Sequence, residues 1–144
     1  MRLIRIALIC VFLCSVCAAV IEHTTVTYDK PLKRLRGKVT DYSGAPIPFV
    51  QVEVYDNPQV LKDDGLAFDQ TRARQKRVAI TTTDDHGAFK FGPIPKGDYE
   101  VQFSRMGWDI LSVLLNTGHP SNTANLCVEL RISSGPGENK VKDC

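Results

Sequence analysis

Val50, Val52 and Val54 alternate with Gln51, Glu53 and Tyr55, and this two-residue period limits most strongly what the chain folds into. Successive side chains of a strand point to opposite faces, so the valines line one face and the polar partners the other. The period returns in Phe89 and Phe91, in Tyr99, Val101 and Phe103, from Ile110 to Leu115, and in Leu126, Val128 and Leu130. Leu35, Lys38, Val39 and Thr40 suit a first strand, and Ile80-Thr81-Thr82-Thr83 is a β-branched one. Turn clusters separate these runs at Asp41 to Pro46, Asp84 to Gly87 and Pro93 to Asp98. No long helical period competes with them. About seven short strands with turns between them predict an all-β, antiparallel Greek-key sandwich.

The beginning of the chain sets the chemical setting. Arg2 and Arg5 precede the apolar run Ile6 to Leu13, and Ser15-Val16-Cys17-Ala18-Ala19 supplies small residues for cleavage. That order is the one an export signal has, so residues 1–19 are expected to be removed and the product to be secreted, periplasmic or extracellular. A retained anchor is the alternative, but the apolar run is well short of the roughly 20 residues a spanning helix needs. Cys17 as a lipidation site is disfavoured by Val16, which stands where a small residue is expected. No stable transmembrane segment is expected after cleavage. Residues 20–33 read as a polar leader, 34–132 as the domain with an insertion at 56–77, and 133–144 as a tail.

Loss of the signal changes the charge. Of 18 basic residues Arg2 and Arg5 leave, and the 16 that stay match 16 acidic ones. A formally neutral chain has no net field to gather phosphates, so nucleic acid is not an expected partner. Three of the five cysteines, Cys10, Cys14 and Cys17, lie in or beside the signal. Cys127 and Cys144 remain, and in an exported chain they are most simply a disulfide tying the tail to the last strand. Two free thiols, or a Cys144 paired with another molecule, are the alternatives. Two sulfurs without a histidine pair do not make a metal site, and no cofactor is expected.

Four short motifs in order carry a family resemblance. Gly37 to Asp41 with Gly44-Ala45-Pro46-Ile47-Pro48 opens it, Thr83-Asp84-Asp85-His86-Gly87-Ala88-Phe89 and Ile94-Pro95-Lys96-Gly97-Asp98-Tyr99 follow, and Gly107-Trp108 closes it. Together they resemble the carboxypeptidase regulatory-like domains, transthyretin-like sandwiches related to collagen-adhesin B-type repeats. The resemblance runs from about Leu35 to Ile132 and implies the fold. It implies little about activity, because its motifs are turn and core residues.

Asp84, Asp85 and His86 are adjacent in a tight turn and point apart, whereas a catalytic or calcium site needs groups converging from several segments. His119 and His23 stand alone, and neither Ser43 nor Ser104 has a nucleophile elbow. Some adhesin repeats form a Lys–Asn isopeptide bond, for which Lys38 and Asn125 are the positions here. The buried acid that such a bond requires is replaced by Phe103. Hydroxyisourate hydrolases share the related fold, but their C-terminal Tyr-Arg-Gly-Ser ending is absent from Val141-Lys142-Asp143-Cys144. The chain is therefore expected not to be an enzyme.

The insertion between the second and third expected strands has no counterpart in the resemblance. Asp69 to Arg77 favours a short helix, acid first and bases last, with Leu66 and Phe68 covering the sandwich. Arg72, Arg74, Lys76 and Arg77 form the expected partner surface, for a protein or polysaccharide of the envelope or exterior. A solvated helix face balanced by Asp63, Asp64 and Asp69 is the competing reading. A carbohydrate-binding module is the alternative function, with Trp108 as the stacking ring and Tyr28, Tyr42 and Tyr55 as helpers, although a core or corner role suits Trp108 better. The absence of an isopeptide bond is checked by intact mass: no loss of one ammonia is expected from the mature chain, and such a loss would restore Lys38 and Asn125 as a reactive pair.

Overall fold

The computed structural model describes residues 21–58, 68–118 and 125–144. The export signal, Cys17, Leu66 and His119 lie outside these residues. Two sheets pack face to face. Strands β1 (His23–Thr27), β3 (Gln51–Tyr55), β4 (Arg77–Thr82), β6 (Gly97–Ser104) and β7 (Ile110–Thr117) form a five-stranded sheet in the order β1-β7-β6-β3-β4. Strands β2 (Arg36–Thr40), β5 (Ala88–Lys90), β8 (Leu126–Glu129) and β9 (Lys140–Asp143) form the other, in the order β5-β2-β8-β9. One helix, α1 (Phe68–Ala73), lies in the insertion after β3. It is shorter than the helix expected over Asp69 to Arg77, because Arg77 already belongs to β4.

The alternating runs face inward as their period requires. Val52, Val54, Val101, Phe103, Leu111 and Val113 are fully buried and meet Val39, Leu126 and Leu130 of the opposite sheet. Phe89 packs edge-on to Phe103 at 5.4 Å and to Phe91 at 6.3 Å, the arrangement favoured by ring quadrupoles. Phe103, where an isopeptide acid would stand, is thus a centre of the apolar core.

Two of the motif glycines answer to geometry. A Cβ on Gly37 would lie 1.8 Å from the Leu126 carbonyl oxygen, so β2 and β8 approach this closely only without a side chain there. Gly87 has φ 72°, and a Cβ would lie 2.4 Å from the Val39 oxygen. Thr83 beside that turn is buried, accepts from the Val50 N–H at 2.8 Å and donates to the Ile47 carbonyl at 2.8 Å. It ties the β2–β3 connection to the end of β4.

The expected seven-stranded antiparallel arrangement is corrected in two respects. There are nine strands among the described residues, and both sheets are mixed: β1 pairs parallel with β7, and β2 parallel with β8. The extra strands come from the segments read as leader and tail. β1 and β9 are edge strands whose partners are already ordered, so they add pairing without a strong apolar period of their own. Tyr28, just beyond β1, donates its hydroxyl to Asp143 of β9, which also holds Lys30. Burial and this bond push the Tyr28 pKa up to about 12.

Cys127 and Cys144 form a disulfide with Cα atoms 5.0 Å apart, and the Cys144 N–H donates to the Asn125 carbonyl. The bond fixes β9 along β8 across a sequence separation of 17. Closing a loop of that length contributes about 3 kcal/mol in the chain-entropy model. The Cys127→Ser, Cys144→Ser double variant is expected to lose about 2–4 kcal/mol in denaturant melts, with amide protection lost first in β9. Uniform loss of protection across both sheets would contradict that order.

Candidate functional site

The outer face of the five-stranded sheet carries a buried polar cluster. Glu100 and Gln102 alternate with the core residues of β6, Ser112 occupies the same face of β7, and Glu53 and Tyr55 that of β3. Register brings Gln102 beside both Glu53 and Ser112, and Glu100 beside Tyr55. Such a face would ordinarily be solvated. Here the helix closes over it, and Glu100, Gln102 and Ser112 are buried.

Arg72 of α1 is the centre of that cover. Its Nη1 and Nη2 each donate to one oxygen of Glu100 at 3.0 Å, and Nη2 also reaches Gln102 Oε1 at 3.1 Å. Two-pronged guanidinium–carboxylate contacts are among the strongest hydrogen-bonded pairs. The guanidinium lies 3.6 Å from the centre of the Tyr55 ring, a cation–π contact. Gln75 donates to the same carboxylate at 2.7 Å. Side-chain exposure is 19% for Arg72 and 0% for Glu100.

Ser112 and His23 complete the cluster. Ser112 Oγ donates to Glu100 Oε1 at 2.6 Å, and His23 Nε2 lies 2.8 Å from the same Oγ. Because the serine proton is committed to Glu100, His23 donates through a protonated Nε2. Withdrawal of the ring from water lowers the His23 pKa, and Arg72 adds to that while Glu100 opposes it. A nucleophilic serine needs the reverse wiring, with histidine accepting its proton and the acid behind the histidine. The buried Ser112 hydroxyl also has no open approach. Serine, histidine and glutamate are together, but their order makes a structural network.

The four basic residues expected to meet a partner therefore divide. Arg72 is turned inward onto Glu100. Arg77, half exposed, donates to Glu53 at 2.7 Å, which holds its pKa up. Arg74 and Lys76 are exposed, and their backbone groups bind Asn57 and Asp56. Arg72 is paired with a strand carboxylate 28 residues away. Asp63, Asp64 and the side chain of Asp69, the balancing acids of the competing reading, lie outside the described residues. Sequence reasoning missed Glu100, Gln102, Ser112 and His23; the available cue was a basic insertion in a chain whose neighbouring strands carry Glu53 and Glu100 at outward positions.

A second buried carboxylate, Asp109, is held by Arg131 Nε at 2.5 Å and by the Glu22 N–H at 3.0 Å. Arg131 also pairs with Glu22, and the Asp109 N–H donates to the Arg131 carbonyl at 2.9 Å. These bonds join β1, the β6–β7 loop and the segment after β8. Asp84 caps its own turn, accepting from the N–H groups of Ala88 and His86 at 2.9 Å, and these bonds hold its pKa down. No group of three or more metal-ligating side chains occurs among the described residues. Trp108 is partly buried against the core and bridges to Ile132, and Tyr28 and Tyr55 are buried. Of the expected stacking rings only Tyr42 is well exposed.

Residues 34–131 match the model of the carboxypeptidase regulatory-like domain. Among solved structures, (S)-allantoin synthase is similar with a TM-score of 0.50 at 14% identity, over 80% of this chain and 44% of that one. This chain thus spans less than half the length of that protein, and at such identity the likeness is one of fold. Transthyretin from Sparus aurata is similar with a TM-score of 0.49 at 18% identity, over 78% of this chain and 98% of that one. No curated protein sequence matches. The chain belongs to the carboxypeptidase regulatory-like domain family.

Removing one partner of the Arg72–Glu100 pair leaves a buried charge or an empty cradle. Arg72→Leu is expected to cost about 3–5 kcal/mol, and Arg72→Leu with Glu100→Leu distinctly less than the two single changes summed. Additive effects in urea melts would show the pair to be uncoupled. Because the His23 pKa is lowered on folding, the neutral ring contributes stability above pH 6.5 that is lost as pH falls below it, and His23→Gln is expected to remove that part of the pH dependence.

Proposed function

We propose that this member of the family is an exported, non-catalytic module that holds a protein partner at one end of its sandwich. The observation that carries the reading is a cluster of exposed apolar side chains on three neighbouring loops. Met106 is 97% exposed, Phe49 65%, Tyr42 57% and Ile132 42%. The loops share one end: Gln51 pairs with Ser104, the Ser133 N–H donates to the Gly107 carbonyl, and Gly137 lies against Tyr42.

Phe49 strengthens the reading. It holds φ 58°, a left-handed conformation that a bulky residue adopts at a cost of about 1–3 kcal/mol, while its ring stays in water. Neither feature serves the core. Asp41, Asp84 and Asp85 lie at this end together with Arg105 and Arg131, so charges of both signs surround the apolar side chains, as at a protein interface with an apolar centre and a polar rim. Export is supported by the pattern of residues 1–19 and by the Cys127–Cys144 bond. Sugar stacking draws less support, since Trp108 is engaged with the core and Ile132.

A photo-crosslinking side chain at Met106, in the exported fraction of the source cell, is expected to give one discrete protein adduct. The same group at exposed Ile80 is expected to give none. Phe49→Gly is expected to abolish the Met106 adduct while preserving or raising stability, by about 1 kcal/mol through relief of backbone strain. Equal adducts at both positions, or an adduct indifferent to Phe49→Gly, would refute the reading.

A further inference from the structure

The two sheets treat their outward charges in opposite ways. On the five-stranded sheet the carboxylates are covered and paired. On the four-stranded sheet the outward positions carry Arg36 and Lys38 of β2, Lys90 of β5, and Lys140 and Lys142 of β9, against one carboxylate, Glu129. The alternation fixes this face, because Val39, Phe89, Leu126 and Val128 occupy the intervening inward positions and are buried. Lys38, Lys90, Lys140 and Lys142 are exposed.

Placement argues against a merely solvated face. Arg36 stands directly opposite Lys90 on paired antiparallel strands, and like charges at such positions destabilise a sheet. Lys38 and Lys142 flank Cys127 from the strands on either side of it. Among the described residues Arg36, Lys38, Lys90 and Lys142 form no ion pair, and Lys140 reaches only Glu138, at 3.9 Å. Neutrality of the whole mature chain thus conceals a segregated charge, and a local cationic field needs no net charge.

A cavity adjoins the face through Lys90. It measures about 460 Å³, has Leu35, Phe91 and Ile94 in its lining, and is bordered by Lys33 and Arg34. Neither of these cations has an ion-pair partner among the described residues. Cations therefore continue from Lys142 through Lys38 and Arg36 to Lys90 and the cavity rim. Alternate residues along a strand are about 6.8 Å apart and neighbouring strands about 4.8 Å apart, which lays the charges out as a flat grid.

We propose that this face binds an anionic polysaccharide, its carboxylate or sulfate groups lying over Arg36, Lys38, Lys90 and Lys142, with a sugar unit entering the cavity beside Lys33 and Arg34. An extended polymer of repeated charges fits a flat grid. The outward strand positions carry no aromatic ring and no large apolar side chain. Tyr42, which lines a hollow with Lys140 and Lys142 at one margin, is a single ring, too few for a run of stacked bases or for entry into a bilayer. Tyr42 of the apolar loops borders this face beside Lys140 and Lys142, whereas Phe49, Met106 and Ile132 are not in that lining, so this inference goes beyond the proposed protein partner and is tested apart from it.

The test uses the mature chain with heparin and polygalacturonate as probes, dextran as the uncharged control, and a single-stranded oligonucleotide and phosphatidylserine vesicles as competing polyanions. Both acidic polysaccharides are expected to bind and dextran not to. Affinity is expected to fall with salt, and to fall about tenfold or more in the Lys38→Glu, Lys90→Glu, Lys142→Glu variant. Its melting temperature is expected not to fall, because Lys90→Glu removes the repulsion with Arg36; Lys38→Gln with Lys142→Gln gives a milder second variant. Phe49→Gly is expected to leave polysaccharide binding unchanged while removing the adduct formed from the crosslinking group at Met106. Failure of both probes to bind, undiminished binding by both variants, or tighter binding of the oligonucleotide or vesicles would overturn the proposal.

Discussion

The carboxylate of Glu100, shut away from water on the outer side of a sheet, constrains much of what surrounds it. An ionised group in that position is tolerated only with close, well-aligned donors. Arg72 supplies two, Gln75 a third and Ser112 a fourth, drawn from a helix, the segment after it and a neighbouring strand. The helix is therefore pinned to the sheet by a polar clamp where an apolar stripe would have been the ordinary device. β1 is drawn in as well, through His23 on Ser112.

This sets Arg72 apart from the other bases of the insertion. A basic stretch with helix-forming residues reads as an exposed charged face, and the compensating acids seem to be the near ones in sequence. Two of its four bases are matched to carboxylates on β6 and β3, Arg72 as a largely buried link and Arg77 at a half-exposed margin. Arg74 and Lys76 stay exposed in the insertion, and a larger set of exposed cations lies on the opposite sheet, on β2, β5 and β9.

Much of the fold was legible because the core-forming strands announce themselves. Val50 to Val54, Phe89 with Phe91, and Tyr99 to Phe103 place large apolar groups at two-residue intervals between turns that only glycine, proline or aspartate make easily. The edges were not legible. β1 reads His-Thr-Thr-Val-Thr and β9 reads Lys-Val-Lys-Asp, each with one strong apolar residue, and each becomes a strand only because β7 or β8 offers an unpaired edge. The disulfide was legible from residue type and setting. The polar cluster was not, since period-two alternation identifies the face away from the core without saying whether water or a helix covers it.

The central claim is that Arg72 is committed to the interior while the cations flanking β2 are open to a partner. Arginine-selective modification of the native chain, read by peptide mass, tests this directly. Arg34 and Arg36 are expected to react readily, and Arg72 and Arg131, each held on a buried carboxylate, to react only on unfolding. Modification of Arg72 at the rate of Arg34 in the folded protein would contradict the account.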